Sequence, residues 1–276
     1  MNSNERVVVL KQEQTAAALT QSVTRALAIL SCFSDEQPEL RVIDFAKKLN
    51  LTQSNVSRLL TTMVSLGYTE KDELTGFYRL GTSIISLGGI ALNHYEIRKQ
   101  ALPELHDLET RLGLGANLAI LNGPHMFYLA HVDSHKSPRM YTLIGRKNPL
   151  HCTGIGKVLL AFLDKEEAES LLKEEGMTAY TDKTITEFSA LESQLESTRK
   201  KGYAIENEEL ALGRACIAAP VRGRSGKVIG GISLSGPLSE INLSRREAEL
   251  SAILIEATDK ISMKMGYITA NYYTGI

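Results

Sequence analysis

The stretch that decides the fold is RVIDFAKKLNLTQSNVSRLLTTMVSL, residues 41–66. In its first half, apolar residues recur at the spacing of one helix face, at Val42, Phe45, Ala46 and Leu49. Asn50-Leu51 then predicts a turn, and the hydroxyl of Thr52 is placed to cap the next helix. That second helix is predicted to pack through one apolar face, which comprises Val56, Leu59, Leu60, Met63 and Leu66. Two short amphipathic helices joined by a turn are typical of a helix–turn–helix.

The opposite side of the second helix is short and polar near its N-terminus. Such side chains reach base edges and phosphates when a recognition helix enters a major groove. The residues predicted to contact DNA from this helix are Thr52, Gln53, Ser54, Asn55, Ser57 and Arg58. Phosphate contacts are predicted for Arg25 and Lys71. Because helices this short are not stable alone, a third is expected over residues 22–33, packing through Val23, Ala26, Leu27 and Leu30.

A β-wing is predicted directly after the recognition helix. Gly67 is expected to close that helix, and residues 68–70 can pair with residues 77–80 around a turn at 72–76. Residues 1–80 hold nine Lys/Arg and nine Asp/Glu, so any positive surface must be local. Turn, polar face and wing in this order favour double-stranded DNA as a partner; the alternative is a helical subdomain with a hairpin.

Length and composition indicate an ordinary globular protein with more than one domain. The chain has 276 residues, 43% of them hydrophobic and 23% charged, with a formal net charge of −1. The apolar run at residues 84–92 is too short to span a bilayer, so no membrane partner is expected. Three widely spaced cysteines, Cys32, Cys152 and Cys216, favour reduced thiols and a cytoplasmic location.

The rest of the chain predicts a linker helix followed by a mixed domain. Strands are predicted over 116–121, 126–132, 140–143, 203–206, 216–221 and 227–235, and helices over 82–93, 95–112, 156–162, 166–175, 189–201 and 244–265. Antiparallel strand pairs flanked by long helices indicate an α+β sensor-like domain rather than a βαβ fold. The predicted organisation is a flexible arm at 1–20, a winged helix–turn–helix at 21–81, a linker helix at 82–98, an effector-binding domain at 99–268 and a tail at 269–276.

Two motifs in the second domain carry possible chemistry. The loop His151-Cys-Thr-Gly-Ile-Gly-Lys157 leads into a helix whose first backbone amides are free to bind an anion. It lacks the glycine spacing of a Walker loop, and a helix entry with close packing is an equal alternative. Strand alternation places Ser233 and Ser235 on one face, where buried hydroxyls need partners from the backbone or from a bound polar ligand.

Taken together, these motifs in this order resemble the IclR family of bacterial transcription regulators, over about residues 21–265. They include the His151–Lys157 loop, Gly202-Tyr-Ala, Glu208-Glu209, Cys216-Ile-Ala-Ala-Pro220 and Ser233-Leu-Ser-Gly-Pro237. The resemblance implies a winged helix–turn–helix, a linker helix and an effector domain similar to GAF or PAS sensor sheets. It also implies homodimers or homotetramers that act on a palindromic operator, with the helix from Thr82 as the expected dimer contact.

The resemblance further implies a site for a small organic-acid effector. By motif, the effector-binding positions are Gly154, Ile155, Glu206, Cys216, Ser233 and Ser235. Relatives often have Asp at position 206, so Glu206 is expected to narrow the pocket. No catalytic residues, metal or cofactor are predicted.

The alternative function is an enzyme acting on a small carboxylate, with the N-terminal domain as a partner-binding module. Metal binding at His131 and His135 is disfavoured, because i, i+4 spacing near a strand end does not put both on one face. A redox or zinc role for Cys152 or Cys216 is left open.

Overall fold

The computed structural model describes residues 20–136 and 144–268. The chain divides into two compact units, with the boundary between Ala91 and Leu92. The predicted strand at 140–143, the tail at 269–276 and all but the last residue of the predicted arm lie outside the described residues. None of the helices in the described ranges is long and apolar enough to cross a membrane.

The first unit is a winged helix–turn–helix followed by a further helix, as predicted. Its elements are α1 (Gln21–Leu30), α2 (Val42–Leu49), α3 (Gln53–Ser65), β1 (Thr69–Lys71), β2 (Tyr78–Leu80) and α4 (Thr82–Asn93). The turn between α2 and α3 follows from Asn50, which adopts the left-handed conformation with φ 51°. Thr52 caps α3 as predicted, its hydroxyl accepting a 3.3 Å hydrogen bond from the Asn55 amide.

The helices of this unit pack around Phe45, whose ring meets Phe33 and Tyr78 edge-on. Ile29 and Leu60 complete the buried centre. Antiparallel pairing of β1 with β2 forms the wing, with Glu70 opposite Arg79.

Two predicted packing faces in the first unit are partly wrong. Val23 and Leu27 are 55% and 59% exposed, because α1 turns the face with Ala26, Ile29 and Leu30 toward the core instead. Leu66 is 61% exposed, because it follows the last residue of α3 and no longer lies on that helix's apolar face.

Helix α4 is apolar in sequence yet has no buried residue within the described part of the chain. Ile85 and Ile90 are 75% and 69% exposed. A Cβ added to Gly88 or Gly89 would meet no atom within 4 Å. The described residues therefore leave the apolar surface of α4 without a covering partner.

The second unit is built on a six-stranded antiparallel sheet with strand order β5-β4-β3-β8-β7-β6. The strands are β3 (Gly115–Asn122), β4 (His125–Val132), β5 (Lys147–Pro149), β6 (Ala204–Asn207), β7 (Arg214–Arg222) and β8 (Val228–Pro237). The helices are α5 (Glu96–Leu112), α6 (Gly154–Ala161), α7 (Lys165–Glu175), α8 (Phe188–Lys201), α9 (Leu238–Ile241) and α10 (Leu243–Lys264). This arrangement confirms the predicted α+β class.

Each face of this sheet has its own apolar core. One face packs Ile217, Ile232 and Leu234 with α5 and α10, and the other packs Ala218 and Ala119 with α6, α7 and α8. Strand β5 and helix α9 were not predicted, because three or four residues carry no periodic signal.

Candidate functional site

The N-terminal turn of α3 presents a polar surface in the first unit. Val56 and Leu60 bury the opposite side of the helix. Of the six predicted residues of this helix, Asn55 is half-buried and the others are exposed: Thr52, Gln53, Ser54, Ser57 and Arg58. The Asn55 side-chain oxygen accepts a 3.1 Å hydrogen bond from the Arg58 guanidinium, which holds that cation over the first turn.

The two residues predicted to touch phosphates lie on other elements of this unit. Arg25 is half-buried on α1. Lys71 lies on the wing and forms a 2.7 Å ion pair with Glu73. Because that pair is exposed to solvent it is weak, and a phosphate could displace the Glu73 carboxylate.

In the second unit, strand register arranges the predicted effector residues in two rows across one sheet face. The first row runs Glu206, Cys216, Ser235 and Gly115, each opposite the next. The second row runs Ala218, Ser233, Asn117 and His131. Directly paired residues project to the same side of a sheet. The four predicted strand residues therefore share one face, and Asn117 and His131 join them.

A side-chain network links the serines of these rows. The Asn117 amide donates 3.2 Å hydrogen bonds to both Ser233 Oγ and Ser235 Oγ. The Asn117 oxygen lies 2.7 Å from Nδ1 of His131, whose Nε2 lies 2.8 Å from Asp133. Since each serine oxygen accepts from Asn117, its own hydroxyl hydrogen is left to donate. No local sequence pattern marks Asn117, because its role depends on pairing between β3 and β8.

Helix α6 begins directly above this face. Thr153 caps it, its hydroxyl accepting from the Gly156 amide at 3.2 Å. The amides of Gly154 and Ile155 occupy the first helical turn and have no intrahelical acceptor. The Gly154 amide donates instead to the Cys216 thiol. A Cβ on Gly154 would lie 2.7 Å from Cys216 Sγ and 3.2 Å from Ala218 Cβ. Close packing therefore accounts for this glycine, while the N-terminus of α6, with the Ile155 amide, remains suited to an anion.

Glu206 is held by its own loop, and its narrowing of the effector pocket stays a prediction. Its Oε1 accepts from the amides of Glu209 at 2.6 Å and Leu210 at 3.2 Å. Burial raises the pKa of the Glu206 carboxyl.

Both thiols near this carboxyl are protonated at neutral pH. Burial raises the pKa of Cys152 to about 12, and the negative charges of Glu209 and Glu206 add to that effect. Burial likewise raises the pKa of Cys216. A neutral thiol is a poor nucleophile and metal ligand.

A buried ion pair fixes α6 in place, and sequence analysis missed it. The Lys157 ammonium donates to Glu209 at 2.5 Å, Gln194 at 2.6 Å and the Ile205 carbonyl at 3.2 Å. Both charged side chains are buried. All three Lys157 donors are used, so this cation is not available to a ligand. The signal in the sequence was a single lysine within an apolar helix.

The histidines considered as metal ligands have separate partners. His131 belongs to the Asn117 network, whereas the His135 ring and amide contact Glu109 at 2.5 and 2.7 Å. Within residues 20–136 and 144–268, no group of three potential metal ligands occurs.

A cavity of about 210 Å³ lies between α8 and the edge strand β6. None of the six predicted effector residues lines it, although Glu209 and Ala204 do. We therefore place the candidate site at the two rows beneath α6 rather than in this surface groove.

Comparison with known families matches nearly all of the described chain. Residues 22–73 match the family described as IclR helix-turn-helix domain. Residues 89–263 match the one described as Bacterial transcriptional regulator IclR C-terminal.

Characterised relatives and solved structures agree with this match. The HTH-type transcriptional regulators XynR and KdgR of Escherichia coli are each 35% identical, over 90% and 89% of this chain and 98% and 93% of their own. A putative transcriptional regulator from Rhodococcus sp. RHA1 has a TM-score of 0.82 at 27% identity, covering 90% of this chain and 98% of its own. An IclR homolog from Microbacterium hydrocarbonoxydans, complexed with 4-hydroxybenzoate, has a TM-score of 0.78 at 24% identity, covering 88% and 98%.

Proposed function

Since the chain belongs to the IclR family of bacterial transcriptional regulators, we propose which of its residues contact DNA and which bind its effector. A DNA-binding regulator requires a surface that enters a groove of the DNA. We assign this role to the N-terminal turn of α3. Arg58 is its only cation, so we assign it a base or phosphate contact, with Gln53, Ser54 and Ser57 beside it. Thr52, Asn55, Arg25 and Lys71 complete the assigned interface.

We assign the effector site to the two polar rows beneath α6. The observation that carries this assignment is the pair of serine hydroxyls that accept from Asn117 on the sheet face beneath the N-terminus of α6. Amides at a helix N-terminus favour an anionic oxygen, and hydroxyl donors favour further acceptors. A small organic acid fits both. The relative complexed with 4-hydroxybenzoate supports this class of ligand.

We further propose a homodimer that reads a palindromic operator and assembles in part through α4. One recognition helix buries too little DNA for tight specific binding, and half-sites about one helical turn apart need two copies. The uncovered apolar side chains Ile85 and Ile90 give α4 a surface for a second copy. Higher assembly into a homotetramer is compatible with the same contact.

We propose that the second unit binds its organic acid without converting it chemically. We also propose that the protein acts in the cytoplasm. The protonated Cys152 and Cys216 argue against thiol catalysis, and Lys157 is fully engaged in its ion pair. Binding then alters DNA affinity only through different affinities for two arrangements of the protein.

The DNA assignment is tested by selecting binding sequences from a random duplex pool with the full chain. Arg58→Ala is then compared with Arg246→Ala, a control on α10 in the second unit. We expect Arg58→Ala to weaken binding by about 1–3 kcal/mol or to reduce the salt slope by about one. Equal isotherms for Arg58→Ala and the control at every salt concentration would remove Arg58 from the interface.

The effector assignment is tested by calorimetry with a panel of small organic acids. Ser233→Val and Ser235→Val should each abolish binding of the best acid while leaving DNA affinity unchanged. A panel without a binding acid, or full binding by the double variant, would contradict the assignment and leave the DNA interface untouched.

A further inference from the structure

Arg214 lies at the end of the two polar rows beneath α6, and no sequence motif identified it. It is two residues before Cys216 on β7, and it pairs with Pro237 as Cys216 pairs with Ser235. Alternation therefore places its side chain on the same face as the two polar rows. The alternate residues Ala215 and Ile217 belong to the opposite core.

The Arg214 side chain runs over this face instead of leaving it for solvent. Arg214 is only partly exposed, and its Nε is buried. Its positive charge also acts on the hydroxyl of Tyr128, a partly buried side chain on β4. Tyr128 packs against the core on the α6 side of the sheet, so the two side chains lie on the same face.

Among residues 20–136 and 144–268, no carboxylate forms an ion pair with the Arg214 guanidinium. Within the described residues its buried Nε has no hydrogen-bond partner. Glu208 directly follows β6, and its amide donates to the Arg214 carbonyl at 2.9 Å. The Glu208 carboxylate is engaged by Lys183 and by the Gly213 amide. Buried donors are normally paired, so this one is suited to an acceptor that arrives with a ligand.

Building on the proposed effector site, we propose that Arg214 selects effectors with a second anionic group, so that the ligand class is a short dicarboxylate. One carboxylate lies at the N-terminus of α6, above Cys216. Arg214 starts about 6.7 Å from Cys216 along β7, the rise of two strand residues. Its forked guanidinium can bind the second carboxylate with two parallel hydrogen bonds.

The experiment is calorimetry of the full chain with matched acids of equal carbon number: succinate and butyrate, glutarate and valerate, adipate and hexanoate. In at least one pair we expect the dicarboxylate to bind at least tenfold more tightly, because hydrogen bonds to charged groups are among the stronger ones. Arg214→Gln should remove this preference and leave the affinity for the monocarboxylate unchanged. Arg246→Gln, which removes the same charge from α10, should keep the preference.

A stability measurement separates recognition from a structural role. An unpartnered buried donor carries a desolvation cost, so Arg214→Met without ligand should unfold at the same urea concentration as the parent or a higher one. A lower midpoint would mean that Arg214 supports the fold, and would overturn the proposal.

The binding outcomes distinguish failure of the proposed organic-acid site from failure of the proposed role of Arg214. If none of the six acids binds the parent, the organic-acid site and the role of Arg214 both fail. If acids bind but parent and Arg214→Gln show the same ratio within every pair, only the role of Arg214 fails.

Discussion

Replacing Lys157 with methionine tests whether the buried ion pair holds the effector domain together. Methionine has a similar length but no donor, so three acceptors lose their partner at once: Glu209, Gln194 and the Ile205 carbonyl. The lost contact to Glu209 should reduce stability most, because the second carboxylate oxygen of Glu209 already has no hydrogen-bond partner. Breaking a buried pair by removing one member costs about 3–5 kcal/mol. For a unit of this size, we expect the melting temperature to fall by about 6–20 °C.

Urea unfolding followed by far-UV circular dichroism measures the effect. Lys165→Met is the matched control, because Lys165 also forms a close ion pair, at 2.6 Å with Glu192, but is 55% exposed. Its midpoint should stay at the parent value. Combining Lys157→Met with Glu209→Leu should cost less than the sum of the two single changes, since it leaves no unpaired buried charge. Equal midpoints for Lys157→Met and Lys165→Met would refute the argument.

Three further predictions concern the cap, the pH response and the assembly. Thr52→Ala should cost the first unit about 1 kcal/mol in urea unfolding, while Thr61→Ala on the same helix should cost less; equal losses would contradict the cap. Burial lowers the pKa of His151 below its ordinary value of 6.5, so its contribution to stability is present above that pH and is lost as pH falls through the folded pKa. Unfolding free energy should therefore drop on acidification, and the drop should be smaller in His151→Asn; parallel profiles would exclude His151 as the source. Ile85→Glu with Ile90→Glu should yield monomers by light scattering, whereas Leu74→Glu, at an exposed site in the wing, should not; an unchanged mass in the α4 variant would move the dimer contact elsewhere.

Local patterns were sufficient to predict the helices, the turn and the wing of the first unit, but not every packing face. The turn at Asn50 and the cap at Thr52 depend only on neighbouring residues, and the structure has both. The face of α1 was misassigned because Val23 and Leu27 have the same helical spacing as the residues that are buried. Only the position of Phe45 in the folded unit decides between the two faces.

In the second unit, alternation correctly placed Ser233 and Ser235 on one face. The partner of those serines could not be predicted, because Asn117 is more than a hundred residues away and reaches them through strand register. The three acceptors of Lys157 are likewise distant along the chain. Contacts of this kind require the sheet order, which no local pattern contains.

Strand β8 has a consequence for how such a protein can diversify. Ile232 and Leu234 build the hydrophobic core, while Ser233 and Ser235, on the other side of the same strand, face the proposed ligand site. A substitution at either serine can change which ligand binds without disturbing the packing of the core. An inserted residue, in contrast, would exchange the two sides and expose leucine to the ligand. Effector specificity can therefore evolve by amino-acid substitution along β8 but not by insertion of a residue into it.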